Sequence, residues 1–170
     1  MNIIWHGHSC FEITGKDGTI VFDPYQANSV PGLNSLKLKA NLVLCSHEHD
    51  DHNARNCVEV APKDFKVTCI ETYHDHHQGS HRGKNTIHIV DFEDLKVVHM
   101  GDIGCMMDDV SKLKNCDVLM IPIGGYYTID TKEALKYIER IQPRIVIPMH
   151  YRSHEFGYDV LSTNEVFIQK

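Results

Sequence analysis

The chain has 170 residues, enough for one domain with a substantial core and too few for two ordinary ones. Hydrophobic residues make up 42% and charged residues 24%, which excludes disordered and fibrous classes, and no apolar run approaches the ~20 residues of a bilayer-spanning helix. A net charge of -6 with a pI near 6.1 argues against general affinity for nucleic acid, whose phosphates call for a basic face.

In chain order, residues 3–5 and 11–14 are predicted strands, residues 15–18 a hairpin turn, and residues 19–22 the returning strand. A compact apolar strand is expected at 42–45 and another at 65–70. Residues 86–90 and 95–99 flank the turn-like Asp91-Phe-Glu-Asp94 and form a second hairpin. Residues 118–123 and 145–147 are near-continuous apolar runs, as in strands buried on both faces. The clearest helix is 131–142, with Ala134, Leu135, Ile138 and Ile141 on one face, capping-box spacing from Asp130 to Glu133, and Pro143 beyond its end. Residues 54–60 and 108–114 are weaker helical candidates. Hairpins followed by strands alternating with helices predict a mixed, layered α/β (α+β) fold in one domain spanning 1–170. The N-terminus lacks the basic and apolar regions of a secretion signal, so a soluble, cytoplasmic protein with six reduced cysteines is expected.

The unusual residue is histidine, present 13 times. Three occur in His47-Glu48-His49-Asp50-Asp51-His52, on the exit from the strand at 42–45. His47 and His49, one residue apart, project to the same side of an extended chain, and Asp51 with His52 follows as a second pair. Imidazole nitrogen and carboxylate oxygen suit Zn²⁺ and also accept Mn²⁺ or Fe²⁺. A solvated acidic loop is the alternative, but the ordered HxHxDH alternation on a rigid strand end favours metal.

HxHxDH after an apolar strand resembles the hallmark of the metallo-β-lactamase fold hydrolases. Other landmarks of that superfamily have counterparts in order: Phe22-Asp23-Pro24, Thr72-Tyr-His74-Asp75, His99-Met-Gly-Asp102 and Ile147-Pro-Met-His150. Gly7-His8-Ser9 and the run from Ile121 to Thr128 further resemble the small branch that includes ascorbate-phosphate lactonases. The resemblance implies a four-layer αββα sandwich with metal at one edge. It implies two divalent ions: one on His47, His49 and His74, the other on Asp51, His52 and His150, with Asp102 bridging. His76, His77 and His81 compete with His74 for the third motif, and the short segment from His52 to His74 implies a trimmed or missing helix.

Around these ligands, His8 is expected either to hydrogen-bond a ligand or simply to pack, and Asp23 to orient the HxHxDH loop by accepting its N–H groups. His88 and His99 read as structural, Cys45 and Cys105 as packed thiols, and Asp130 as a helix cap. Arg82, Lys84 and Asn85 are placed to meet an anionic substrate if their loop borders the metals. Tyr126 and Tyr127 follow a Gly-Gly turn of the kind that lines pockets. The expected activity is hydrolysis of an ester, lactone, thioester or related small molecule by a hydroxide bridging two metals, probed most naturally with zinc, and oriented by Asp51. A phosphodiesterase or nuclease of the same fold is the rival enzyme, and a non-catalytic metal store or sensor the rival of another class. A small-molecule substrate is the expected partner, with no nucleic acid and no membrane.

Overall fold

The computed structural model describes residues 1–169. Gly18, at φ 127°, closes the turn that pairs β2 (Cys10–Gly15) with β3 (Gly18–Phe22), and β1 (Asn2–Gly7) joins β2 on its other side. β5 (Leu42–Leu44) pairs in parallel with β3 and completes the first sheet, in the order β1-β2-β3-β5. The second sheet runs β11 (Ile145–Met149), β10 (Val118–Pro122), β9 (Leu95–His99), β8 (Lys84–Phe92) and β7 (Lys66–Tyr73). Two short strands, β4 (Leu38–Ala40) and β6 (Val58–Val60), form a separate parallel pair.

Alternation along the strands decides which way each residue faces. Phe11, Ile13, Ile20 and Phe22 point into the central core, where they meet Ile87, Val97, Leu119 and Ile121 of the second sheet. Cys10 and Val21 point the other way, into a smaller cluster with Tyr25, Val30, Ala40 and Val58. On the far face of the second sheet lies α1 (Thr131–Ile141), which buries Ala134, Tyr137 and Ile141. The αββα sandwich is present with thin outer layers. α1 covers one side, and the β4–β6 pair with its flanking loops covers the other, which accounts for the short segment between His52 and His74.

The predicted strands and the helix at 131–142 form. Asp130 caps α1 by accepting from Glu133 N at 2.9 Å, and Glu133 returns the bond to Asp130 N at 3.1 Å. The other two helical candidates do not form. Residues 54–60 make one 3₁₀ turn at Arg55–Cys57 and then enter β6, because Val58 and Val60 fit a pleated strand better than a helix. Residues 108–114 contain only the 3₁₀ turn Ser111–Leu113, where Asp109 takes both the N–H and the hydroxyl of Ser111 and competes with helix nucleation. A last short helix, α2 (Glu165–Ile168), has no counterpart among the expectations. Among the described residues no helix is long and apolar enough to cross a membrane.

Candidate metal centre

Histidine and aspartate side chains converge where strands of both sheets end. His8, Asp23, His74 and His150 each occupy the position directly after β1, β3, β7 and β11. His47 and Asp102 lie three residues beyond β5 and β9. His8, Asp23 and His150 have left-handed backbones, with φ of 52°, 42° and 51°. Such conformations cost of order 1 kcal/mol each for non-glycine residues and persist where the surroundings fix them. Here the sheet ends do so: Asp23 N donates to Leu44 O at 2.9 Å, and His150 N to His8 O at 3.2 Å. Gly101, at φ 57°, lets β9 reach Asp102, since a Cβ there would collide with the Asn85 side-chain oxygen and Ser46 Cβ.

Three groups of side chains can each hold a cation: His47, His49 and His74; His8, Asp51, His52 and His150; and His47, His52 and Asp102. Asp102 Oδ2 is the meeting point, 2.9 Å from His150 Nε2, 3.1 Å from His52 Nε2 and 3.5 Å from His74 Nε2. The buried Nε2 atoms of His47 and His52, and Oδ1 of Asp102, have no hydrogen-bond partner. Buried polar atoms left unpaired are costly, so three of them on residues gathered in one candidate group suit a cation as their partner. The opposite ring nitrogens are engaged: His47 Nδ1 is 2.9 Å from Ser46 Oγ, and His52 Nδ1 is 2.8 Å from Asp23 Oδ2. Outer partners of this kind fix ring orientation and leave the inner nitrogen free to bind metal.

Asp23 organises the HxHxDH loop from below, as expected. It accepts from Ser46 N at 2.7 Å and Ser46 Oγ at 2.6 Å as well as facing His52. Burial would raise its carboxyl, but the neighbouring His99 and His52 outweigh that and hold it well below the usual carboxylate range. Asp102 behaves likewise: burial opposes ionisation, and His150 and His52 overcome it. Burial, reinforced by the neighbouring His52, lowers His47 to about 3, and burial contributes most to bringing His8 to about 4. His52 goes the other way, because Asp102, Asp51 and Asp23 outweigh its burial. The carboxylates are thus ionised, and His8 and His47 neutral, near neutral pH, which are the forms that bind divalent metal.

His74 is the third-motif histidine that joins a candidate group. His76 is exposed and lies 3.7 Å from Glu133, while the His77 and His81 rings pair with each other at 4.3 Å. His8 both hydrogen-bonds Asp51 Oδ2 at 3.2 Å and stands within reach of a shared cation. His99 packs flat on Phe22, ring centroids 5.1 Å apart, and faces Ser9 O through Nε2 at 2.9 Å. His88 is buried outside the groups, and among the described residues none of the groups includes a cysteine. Burial pushes the Cys45 thiol up to about 12.

A cleft of about 280 Å³ opens over the centre, lined by His49, Asp51, His74, Asp102 and His150 together with Arg82, Tyr127 and Tyr158. Arg82 and Tyr127 therefore share the cleft with the candidate ligands. Asn85 does not, which corrects the expectation for it. It is fully buried behind Asp102, accepting Asp102 N at 2.8 Å and donating to Thr72 Oγ1 and Met100 O. Tyr126 is 64% exposed and lines an adjoining pocket together with Arg82 and Tyr127. Lys84 is exposed and paired with Glu71 at 2.9 Å.

Three site residues had escaped the sequence reading. Ser46 links Asp23 to His47, and its place directly before HxHxDH was the available signal. Asp75, directly after His74, accepts four backbone N–H groups and folds the 75–82 loop. Tyr158 reaches Asp51 Oδ2 at 3.3 Å and Ser29 O at 2.8 Å from the C-terminal loop, with no local pattern to announce it.

A β-sandwich that gathers histidines and aspartates at one end of its strands, beneath an open cleft, defines a metal-dependent hydrolase. The family described as Beta-lactamase superfamily domain matches residues 2–150, and the chain belongs to that metallo-β-lactamase superfamily. It is 28% identical to a UPF0173 metal-dependent hydrolase of Thermoplasma acidophilum, over 91% of this chain and 85% of that one. A UPF0173 metal-dependent hydrolase of Staphylothermus marinus is 30% identical over 86% and 82% of the two chains. Among solved structures, a protein of Thermotoga maritima assigned as a Zn-dependent hydrolase of the metallo-beta-lactamase superfamily superposes with a TM-score of 0.75 at 26% identity. That match covers 98% of this chain and 84% of the other.

Proposed function

We propose that the protein uses a pair of divalent ions, zinc the first to be tested, to hydrolyse an ester, lactone, thioester or related bond in a small molecule. His47, His49 and His74 hold one ion, Asp51, His52 and His150 the other, and Asp102 is shared. The observation that carries this reading is the position of Asp102 Oδ2, within 3.5 Å of histidines from both sets. When bound, the ions supply Lewis acidity toward a substrate oxygen and lower the pKa of water at the site toward neutrality.

The chain's own residues do the rest. Asp23 and Ser46 hold His52 and His47 in the orientations that direct Nε2 inward. His8 and Tyr158 both engage Oδ2 of Asp51, so Oδ1 remains to accept a hydrogen bond from the attacking water and aim it. The cleft, at about 280 Å³, is at the small end of the range for ligand sites and suits a compact substrate.

Two measurements test the reading together. Metal content of the purified protein is determined by elemental analysis, and zinc-loaded protein is screened against lactones, thioesters, esters and phosphodiesters with Asp102→Ala as control. About two ions per chain and turnover that Asp102→Ala abolishes are the expected results. Turnover confined to phosphodiesters would move the assignment to the nuclease-type rival. Tightly held metal with no turnover would favour a metal store or sensor, and a protein indifferent to His47→Ala would sink both metal readings.

A further inference from the structure

We propose that the substrate carries a free oxyanion, a carboxylate or a phosphate, and that Arg82 binds it. This rests on the hydrolase reading above and adds the charge of the molecule hydrolysed. Arg82 stands in the wall of the metal cleft with Asp51, His74 and Asp102. Its guanidinium lies 5.4 Å from the ring centroid of Tyr127 and 5.9 Å from that of Tyr126, within cation–π range of both.

What distinguishes Arg82 is the lack of an acceptor. The other four arginines of the chain each donate to one: Arg55 to Glu48, Arg144 to Asp117, Arg140 to Met107 O and Asp108 O, and Arg152 to Leu161 O. Among the described residues the Arg82 guanidinium has no such bond, although Asp75, Asp130 and Glu133 line the pocket that adjoins it. Each of those carboxylates is already engaged. Asp75 Oδ1 accepts from His77 N and Gly79 N at 2.7 and 3.0 Å, and Oδ2 from His81 N and Arg82 N at 3.1 and 2.7 Å. Those four bonds fill the lone-pair sites of a carboxylate. Asp130 and Glu133 are tied into the capping box of α1, with His76 near the second oxygen of Glu133.

The loop is therefore built to hold the Arg82 backbone through Asp75 while withholding that carboxylate from its side chain. A half-buried guanidinium set beside two tyrosine rings, with its N–H groups holding no acceptor, suits the two-point binding of a carboxylate or phosphate. The carboxylates within the cleft, Asp51 and Asp102, are committed to the metals under the reading above. The partner left for Arg82 is the substrate.

The test compares wild type, Arg82→Gln and Arg82→Lys, all zinc-loaded and checked for equal metal content. Three substrates share the 4-nitrophenyl leaving group and an acyl chain of similar length that ends neutral, in a carboxylate or in a phosphate: 4-nitrophenyl butyrate, the 4-nitrophenyl half-ester of succinate, and the 4-nitrophenyl ester of phosphoglycolate. Wild type is expected to favour one or both anionic esters. Arg82→Gln should cut the anionic-to-neutral ratio of kcat/KM about 10- to 100-fold, mainly through KM, with partial recovery in Arg82→Lys. Whichever ester loses more identifies the oxyanion as carboxylate or phosphate. An unchanged ratio overturns the proposal while leaving the hydrolase reading intact. If wild type turns over none of the three, that counts against the hydrolase reading, and calorimetric titration with succinate and inorganic phosphate decides on Arg82. An affinity at least ~10-fold weaker in Arg82→Gln supports the anion site, and equal affinity overturns it.

Discussion

Asn85 accepts the backbone N–H of Asp102 on its side-chain oxygen at 2.8 Å, which sets the height of the carboxylate on which His52, His74 and His150 converge. Its amide nitrogen ties the same position to Thr72 Oγ1 at 2.9 Å and to Met100 O at 3.0 Å. Asn85→Leu keeps the branched heavy-atom shape and removes all three bonds, leaving a buried N–H and a buried carbonyl unpaired. Each such orphan costs ~1–3 kcal/mol, so urea unfolding of the metal-free variant should show a loss of about 2–4 kcal/mol. Metal affinity, read by chelator competition, should fall about 10- to 100-fold. Wild-type values for both would mean that Asn85 does not support the carboxylate.

Asp23→Asn probes the support beneath the loop. The two oxygens of Asp23 face three donors, Ser46 N, Ser46 Oγ and His52 Nδ1, at 2.6 to 2.8 Å. An amide replaces one acceptor by a donor, so at least one of those bonds must be lost or reversed. Asparagine tolerates the left-handed backbone at φ 42°, so the substitution changes the chemistry without adding strain. Metal affinity should weaken by about 10- to 100-fold while the far-UV spectrum stays that of the wild type. A variant that binds metal like wild type would show that Ser46 and His52 are held by other means.

The clustering of the candidate ligands was legible because each sits just past an apolar strand, so the sequence displays the strand end and the donor side by side. Asp23, His74 and His150 directly follow Phe22, Tyr73 and Met149. Asn85 was misread because the polar run around it, from Arg82 to Lys84, suggests a solvated loop. It is in fact the second residue of β8, opposite Thr72, and alternation turns it inward. The candidate helix at 54–60 failed for a tertiary reason: Val58 pairs with Leu38, a strand too short to be recognised alone. Tyr158 was invisible because it meets Asp51 across 107 positions of sequence from a loop without periodicity.

Tyr158→Phe isolates that long-range contact. The phenol has one proton and two acceptors, Ser29 O at 2.8 Å and Asp51 Oδ2 at 3.3 Å. Burial and the Asp51 charge raise its pKa, so it is a neutral donor at physiological pH. Removing the hydroxyl should cost ~0.5–1.5 kcal/mol of stability. With Asp51 held by His8 alone, kcat on the best substrate should drop about tenfold with metal content unchanged. Full activity would reduce Tyr158 to an anchor for the loop at Ser29.

His88 gives a pH dependence that is separable from the metal site. It lies on β8, 4% exposed, with Nδ1 unpaired, and burial lowers its pKa to about 4 from an ordinary value of 6.5. The unfolded chain therefore takes up a proton on His88 at a pH where the folded protein does not. Its contribution to stability is fully present above pH 6.5, falls as the pH drops through the window, and is gone near pH 4. Over that window the linkage amounts to about 2–3 kcal/mol for a buried group. His8 and His47 titrate in the same direction, so the absolute acid lability of the metal-free protein is shared among several histidines. The informative quantity is the difference between wild type and His88→Leu, measured by urea unfolding of metal-free protein at pH 7 and pH 4.5. The variant should lose less stability on acidification by about 2 kcal/mol, whatever its standing at pH 7. Parallel stability curves for the two proteins would mean that His88 is protonated, or solvated, in the folded state.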